Sequence, residues 1–284
     1  MIPIADFHSN RREKIKPYVV WGLIGLCVLV FLYQLMLSGD NSLYFTYRYG
    51  AVPIEVVGGS LPTGFPTAPF WPPLTLLTSI FLHGDWTHII FNMLYLWVFG
   101  DNIENVFGHT GFLLFYLAGG IVAGLMHVAF SLGPQAGLVP IIGASGAIAA
   151  VMGAYLALFP NARIVTFIFY MPVPISAFWY LIIWLGMQFL GVLGGDTGIA
   201  WWAHIGGFLF GYLVAFVFLK IRYPNAPPPW RQIKVGNRRP GTFYIRKPQG
   251  KGSQTGFSDD DENNSNGDGR TDSRPGIDPD IWKR

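Results

Sequence analysis

Long apolar runs separated by short polar segments dominate the chain, and this pattern predicts membrane-spanning helices. The first run, residues 18–37, has 20 residues, about what a helix needs to cross a bilayer. The run from Ser145 to Pro160 is shorter, as expected of a helix that begins below the membrane surface. We therefore predict an all-α polytopic membrane protein, a six-transmembrane-helix bundle with spans near 18–37, 86–107, 112–132, 145–160, 175–193 and 200–221.

The connecting and terminal segments differ from the spans in composition. Residues 38–73 are rich in Gly, Pro and aromatic residues, which suits partial embedding at the membrane interface. Residues 164–174 are apolar but contain Pro172 and Pro174, so we expect an interfacial bridge. The predicted organisation is a cytoplasmic N-terminal segment, a helical domain and a disordered cytoplasmic tail too poor in apolar residues to form a core: residues 1–16, 17–221 and 222–284.

Composition supports an integral membrane protein and narrows its partners. The chain is 51% hydrophobic and 12% charged, whereas soluble domains carry about 25% charged residues. We therefore expect the lipid bilayer as a partner. The net charge of +3 does not indicate nucleic-acid binding, because the basic residues flank the spans. The single cysteine, Cys27, excludes an intrachain disulfide and a cysteine metal cluster.

Apart from Arg48, which alone would lie on the other side, the basic residues near the predicted spans lie on one side. Six spans place both termini on that side, which the positive-inside rule makes cytoplasmic. We therefore expect a multi-pass protein of the cell membrane with both termini in the cytoplasm. The basic residues concerned are Arg11, Arg12, Lys14, Lys16, Arg163, Lys220 and Arg222.

The second, fourth and sixth spans would then all begin on the outer side, and their first turns carry polar residues. These are His88 and Asn92, then Ser145, then His204. Polar groups at membrane depth are costly and usually mark a functional site. Their agreement in depth predicts one site that faces the outer side.

Serine and histidine at one depth predict nucleophilic catalysis. A serine hydroxyl needs a base to take its proton, and His204 can do this if its helix adjoins that of Ser145. No Asp or Glu is placed to complete a triad, so we predict a Ser145–His204 dyad whose imidazole is oriented by packing. Oxyanion donors would come from His88, Asn92 and the backbone at Gly143 and Ser145.

Structural explanations of the same residues remain open. Small residues around Ser145 could only let helices pack closely, and Asn92 could form an interhelical hydrogen bond. His88 could be an interfacial histidine. A zinc site is disfavoured, because His83 and His88 are five residues apart without the intervening Glu of a metalloprotease helix. We predict no metal and no cofactor.

Three motifs resemble the rhomboid family of intramembrane serine proteases. They are His83-x4-His88-x3-Asn92, Gly143-Ala144-Ser145-Gly146 and Ala203-His204-Ile205-Gly206-Gly207. Glu104-x3-Gly108 and the region of Arg48 are also similar, and the resemblance covers about residues 17–221.

The resemblance implies a six-helix core with a water-filled active site. It implies Ser145 as nucleophile, His204 as base, and His88 and Asn92 as oxyanion contributors. Substrates would be single-span membrane proteins that are cleaved in or near their transmembrane segment. The alternative function is a non-catalytic rhomboid-like membrane binder or quality-control adaptor, and the sequence does not indicate the oligomeric state.

One position departs from the family pattern. Some members have an aromatic residue four positions after the serine, where it packs on the catalytic histidine. This chain has Ala149 there, so another residue must hold the ring of His204 if that ring is fixed.

Overall fold

The computed structural model describes residues 2–6, 15–168, 171–194 and 199–224. Nearly all of the predicted tail, 222–284, and the turn around Asp196 lie outside the described residues. Within them, eight α-helices and three strands are present. In chain order they are β1 (Ile2–Asp6), α1 (Tyr18–Met36), α2 (Asp40–Tyr49), α3 (Pro53–Val56), α4 (Thr75–Thr78), α5 (Trp86–Phe130), α6 (Ser145–Leu158), β2 (Arg163–Ile168), β3 (Met171–Ser176), α7 (Ala177–Leu193) and α8 (Trp201–Arg222).

Several long apolar helices form the bundle, which fits the predicted membrane architecture. Among the described residues, α1, α5 and α8 are long and apolar enough to cross a membrane, whereas α6 and α7 are shorter apolar helices. The long helix α5 is interrupted at Gly108, whose backbone is non-helical with φ 72°. Glycine tolerates this left-handed conformation, so α5 consists of two helical halves that meet at Gly108.

Helix α6 is the centre of the bundle. Every residue from Gly146 to Leu158 is buried, as expected of a helix that is apolar on all sides. It lies so close against α8 that a Cβ atom added to Gly211 would collide with the Ala150 carbonyl oxygen. Small residues thus bring the backbones of α6 and α8 together.

The expectation of an all-α fold with an interfacial bridge at residues 164–174 is wrong in one respect, because a three-stranded sheet is present. Its order is β1-β2-β3, and both pairings are antiparallel. Strand β2 contains the β-branched and aromatic residues that favour strands. Pro172 and Pro174 lie in β3, an edge strand, where a missing N–H donor is tolerated.

The two ends of the bundle are distinguished by contacts of α1. At its start, the backbone N–H groups of Val19 and Val20 donate to Glu104 on α5. Near its end, the Gln34 side chain pairs with the backbone of His83, just before α5. The sheet follows the end of α6, so it lies at the same end of the bundle as Glu104, which we call the Glu104 end. Ser145, the first residue of α6, lies at the opposite end near His83, which we call the Ser145 end.

Candidate active site

Ser145 and His204 are hydrogen-bonding neighbours. Ser145 Oγ lies 2.9 Å from His204 Nε2. Ser145 is the first residue of α6, and His204 lies in the first turn of α8. A Cβ atom on Gly207 would collide with the carbonyl oxygen of Gly146. The close approach of α6 and α8 therefore brings the two side chains together.

Gln188 of α7 makes the second polar contact of His204 and was not among the predicted site residues. Its Oε1 lies 2.8 Å from His204 Nδ1, and its Nε2 donates to the Trp184 carbonyl oxygen at 2.8 Å. The side chain is almost fully buried, with 3% exposed. The expectation that packing alone orients the imidazole is therefore incomplete. An isolated glutamine in an apolar helix was the available signal.

Two tryptophan rings pack around His204. The Trp184 ring centroid lies 5.9 Å from the His204 ring, and Trp201 approaches edge-on at 6.1 Å. Ala149, the position where an aromatic residue was missing, is fully buried. The support that Ala149 does not give is thus provided from α7 and from the start of α8.

His88, Asn92 and Gly143 converge beside Ser145. Gly143 has φ 113°, and a Cβ atom there would lie 2.5 Å from His88 Nε2 and 3.6 Å from Asn92 Nδ2. Only glycine combines this backbone conformation with such a close approach. Among the described residues, the buried Asn92 Nδ2 has no hydrogen-bond partner. This cluster therefore presents an unused donor next to the serine.

The backbone of Gly143 does not supply the donor that the sequence suggested. Its N–H already donates to the Ser79 carbonyl oxygen at 2.8 Å. Gly143 instead provides space for the side chains of His88 and Asn92. His88 Nδ1 accepts a long hydrogen bond from the Gly84 N–H, 3.4 Å, so its Nε2 carries the proton and faces the cluster.

Asp85 caps the helix that holds His88 and Asn92. Its Oδ1 accepts from the His88 N–H at 2.9 Å and from the Thr87 hydroxyl. The Thr87 hydrogen bond, followed by that from His88, lowers the pKa of Asp85 below its ordinary value of 3.8. The charged carboxylate thus fixes the first turn of α5.

The cluster opens into a cavity of about 890 Å³. One wall carries a further polar pair, His127 and Ser131, 3.1 Å apart. Within the described residues, no group of three or more His, Cys, Asp or Glu side chains is arranged to hold a metal ion. The residues that line the cavity beside Ser145 and His204 include His88, Phe91, Asn92, Tyr95, Ile148, Met152 and Trp184.

Comparison with known proteins gives a consistent picture. Residues 71–221 match the Rhomboid domain. The chain is 30% identical to Rhomboid protein 1, mitochondrial, of Saccharomyces cerevisiae over 52% of its length and 42% of the relative's. It is 37% identical to RHOMBOID-like protein 12, mitochondrial, of Arabidopsis thaliana (47% and 43%), and 30% identical to Rhomboid protease GluP of Bacillus subtilis (70% and 34%). The chain thus spans less than half the length of these curated relatives.

These relatives overturn the predicted location. The yeast and Arabidopsis relatives, like others that the chain matches, are named as mitochondrial proteins, so the expectation of a cell-membrane protein with cytoplasmic termini is wrong. The distribution of basic residues orients spans relative to a membrane but does not specify which membrane.

The family match covers 151 of the 284 residues, from 71 to 221, and it contains Ser145, His204, His88 and Asn92. The chain therefore belongs to the rhomboid family.

Proposed function

We propose that this protein is an intramembrane serine endopeptidase that uses a Ser145–His204 dyad. The observation that carries the proposal is the 2.9 Å contact between Ser145 Oγ and His204 Nε2, on the wall of a cavity that also holds the unpartnered amide of Asn92. A nucleophile, a base within hydrogen-bond reach and an adjacent donor are the parts that acyl transfer requires. The Bacillus subtilis relative is itself named a protease.

The chemistry follows from these positions. Ser145 Oγ attacks the carbonyl carbon of the scissile peptide while His204 Nε2 takes the hydroxyl proton. The tetrahedral oxyanion accepts hydrogen bonds from His88 Nε2–H, Asn92 Nδ2–H and the Ser145 backbone N–H. Protonated His204 then gives its proton to the leaving amine, and an acyl-enzyme remains on Ser145. Water, activated by His204, hydrolyses this ester and restores the serine.

The substrates we propose are single-span membrane proteins that are cleaved in or near their transmembrane segment. Support comes from the position of the dyad among apolar helices, because such helices lie in lipid. In this proposal, residues 17–221 form the catalytic domain and the two halves of α5 cross the membrane separately, which gives six crossings with α1, α6, α7 and α8. Helix α6 has 14 residues, about 21 Å, so it begins below the membrane surface.

Cleavage of a single-span reporter by the purified full chain in proteoliposomes tests the proposal. We expect Ser145→Ala and His204→Ala each to abolish cleavage while thermal unfolding stays close to that of the wild type. A serine-directed fluorophosphonate should label the wild type and not Ser145→Ala. Ser176→Ala is the matched control, because Ser176 bonds to the Pro160 carbonyl oxygen at the opposite end of the bundle.

Two outcomes would contradict the proposal. Cleavage that persists in Ser145→Ala would exclude this serine as the nucleophile. A wild-type chain that binds the reporter but neither cleaves it nor reacts with the probe would favour the alternative, a non-catalytic membrane binder or adaptor.

A further inference from the structure

A chain of hydrogen bonds runs from the backbone of α7 to Ser145, and its first member sets the direction of all the others. The Trp184 carbonyl oxygen can only accept, so the group of Gln188 that faces it at 2.8 Å must be the amide NH₂. The opposite atom, Gln188 Oε1, then faces His204 Nδ1 at 2.8 Å. An amide oxygen can only accept, so His204 Nδ1 must carry the proton.

This assignment fixes the state of the other imidazole nitrogen. In a neutral ring with a protonated Nδ1, the Nε2 atom holds a lone pair and accepts from the Ser145 hydroxyl at 2.9 Å. That is the tautomer a general base needs. The opposite tautomer would place a proton between Nε2 and Ser145 Oγ, and the ring could no longer take the serine proton.

The ring contacts of His204 do not make this choice. Trp184 and Trp201 pack against the imidazole, and packing restricts its tilt. An apolar contact does not distinguish a protonated from an unprotonated ring nitrogen, whereas a hydrogen bond does. Gln188 is the described side chain that holds His204 Nδ1.

The burial of Gln188 couples the dyad to the docking of α7. Helix α7 is described in full, and four of its residues are buried: Ala177, Tyr180, Leu181 and Gln188. Three of these lie in its first five residues, so Gln188 is the buried anchor of the second half. A buried amide that loses its partner is costly. Movement of this half away from α8 would therefore break the contact with His204.

We propose that Gln188 is a positioning residue of the dyad, which holds His204 in the Nδ1-protonated tautomer and makes the competent dyad depend on docked α7. The inference rests on the proposed protease function and adds a positioning residue to that same site. Ser145 of α6, together with His88 and His127 of α5, are the titratable or reactive groups that face His204. A change at Gln188 leaves all three in place.

Two substitutions separate positioning from structure. Gln188→Met keeps the length of the side chain and removes the acceptor. We expect kcat to fall about 10–100-fold, because part of the rate gained from general-base catalysis would be lost. The KM value should stay within about twofold of the wild type.

Gln188→Glu keeps the acceptor. It should restore kcat at alkaline pH, and its charge should move the acid limb of the kcat/KM profile to higher pH by about one unit, because a carboxylate favours imidazolium.

Tyr180→Phe is the matched control. It removes another α7 hydrogen bond of 2.8 Å, to Tyr95, without touching His204. We expect the position of its pH profile to remain that of the wild type. Wild-type kcat and pH dependence in Gln188→Met, or a Gln188→Glu variant as inactive as Gln188→Met at every pH, would overturn the inference.

A measurement on the unmodified chain covers the case in which a variant fails to fold. Nitrogen-15 NMR of the histidine-labelled wild-type protein, with His204→Ala to assign the signal, should show a protonated Nδ1 and an unprotonated Nε2. The opposite tautomer would overturn the inference. If the wild type does not cleave, the proposed function fails, and the NMR result still decides the tautomer. If it cleaves and the Gln188 variants match it, only the present inference fails.

Discussion

The two ends of the helix bundle both bury polar side chains, but they satisfy them differently. At the Glu104 end, both carboxylate oxygens of Glu104 accept hydrogen bonds from α1, and His109 bonds to one of them at 2.5 Å. Asp6 of β1 accepts from Asn102 and from Tyr155, each at 2.7 Å. At the Ser145 end, Asn92 Nδ2 and His83 Nε2 are buried without a hydrogen-bond partner among the described residues.

This difference separates a structural end from a chemical end. A buried donor or acceptor without a partner costs about 1–3 kcal/mol, and such groups persist in folded proteins where function uses them. The Glu104 end ties α1 and β1 to the bundle. The Ser145 end keeps the Asn92 amide unused next to Ser145, the proposed nucleophile. Substitutions at the two ends should therefore affect different properties.

Among the substitutions that compare the two ends, the largest effect is expected from Gly143→Ala at the chemical end. The added Cβ would lie 2.5 Å from His88 Nε2 in a backbone with φ 113°, so the His88 ring must move. Displacement of this proposed oxyanion donor, together with backbone strain two residues before Ser145, should reduce kcat/KM about 1000-fold. Reporter cleavage in proteoliposomes measures this.

Gly64→Ala is the control for Gly143→Ala. Gly64 also has positive φ, 94°, but a Cβ there meets no atom within 4 Å. Its backbone strain should lower stability by about 1–3 kcal/mol and leave cleavage intact. An equal loss of cleavage activity in the two variants would show that backbone strain, and not the contact with His88, causes the loss at Gly143.

Asn92 and Asn102 compare the two ends within a single helix. Both are buried in α5, but Asn102 donates to Asp6 and Asn92 Nδ2 has no partner among the described residues. Asn92→Ala should lower kcat about 100–1000-fold and change the free energy of unfolding by less than about 1 kcal/mol.

Asn102→Ala should show the reverse pattern, with stability reduced and kcat near that of the wild type. Kinetics and thermal unfolding in detergent micelles, measured on both variants, check the pair. If Asn92→Ala lost stability and Asn102→Ala lost activity, the proposed division between the ends would be incorrect.

Glu104→Ala should have its main effect on stability. The change leaves the N–H groups of Val19 and Val20 without the carboxylate that now accepts from both. We expect a loss of about 3 kcal/mol in the free energy of unfolding, with kcat unchanged in the fraction that remains folded. Glu104→Gln retains one acceptor oxygen and should lose less. Equal losses in the two variants would contradict the hydrogen-bonding explanation.

The smallest effect is expected from Asp85→Ala, which removes the cap of α5. Loss of an N-cap costs about 1 kcal/mol, and thermal unfolding at neutral pH should show it. Because hydrogen bonds lower the pKa of Asp85 below 3.8, the folded state binds this proton less readily than the unfolded state. The stabilisation is therefore present above pH 3.8 and is lost as the pH falls through the lowered value. A difference between the two proteins that does not depend on pH would argue against a charged cap.

Much of the helical framework and the main site residues could be predicted from local patterns. The start of α1 at Tyr18 and the two halves of α5 follow from apolar runs and from the Gly108 interruption. The sheet was missed because Pro172 and Pro174 in β3 argued against a strand, and because the pairing of β1 with β2 joins residues more than 150 positions apart, such as Ile2 and Phe167. Hydrophobic periodicity carries no information about such distant partners.

Local patterns in the sequence are enough to identify the residues that could perform the proposed chemistry. Ser145, His204, His88 and Asn92 stand at comparable depths in three apolar segments, and depth follows from position along a helix. Which atoms of these residues meet depends on the packing of the helices. This packing placed Gln188 on His204 Nδ1, put Trp184 and Trp201 where Ala149 left no ring, and assigned the Gly143 N–H to Ser79. These contacts depend on how helices approach and rotate about one another, which the close packing of small residues sets.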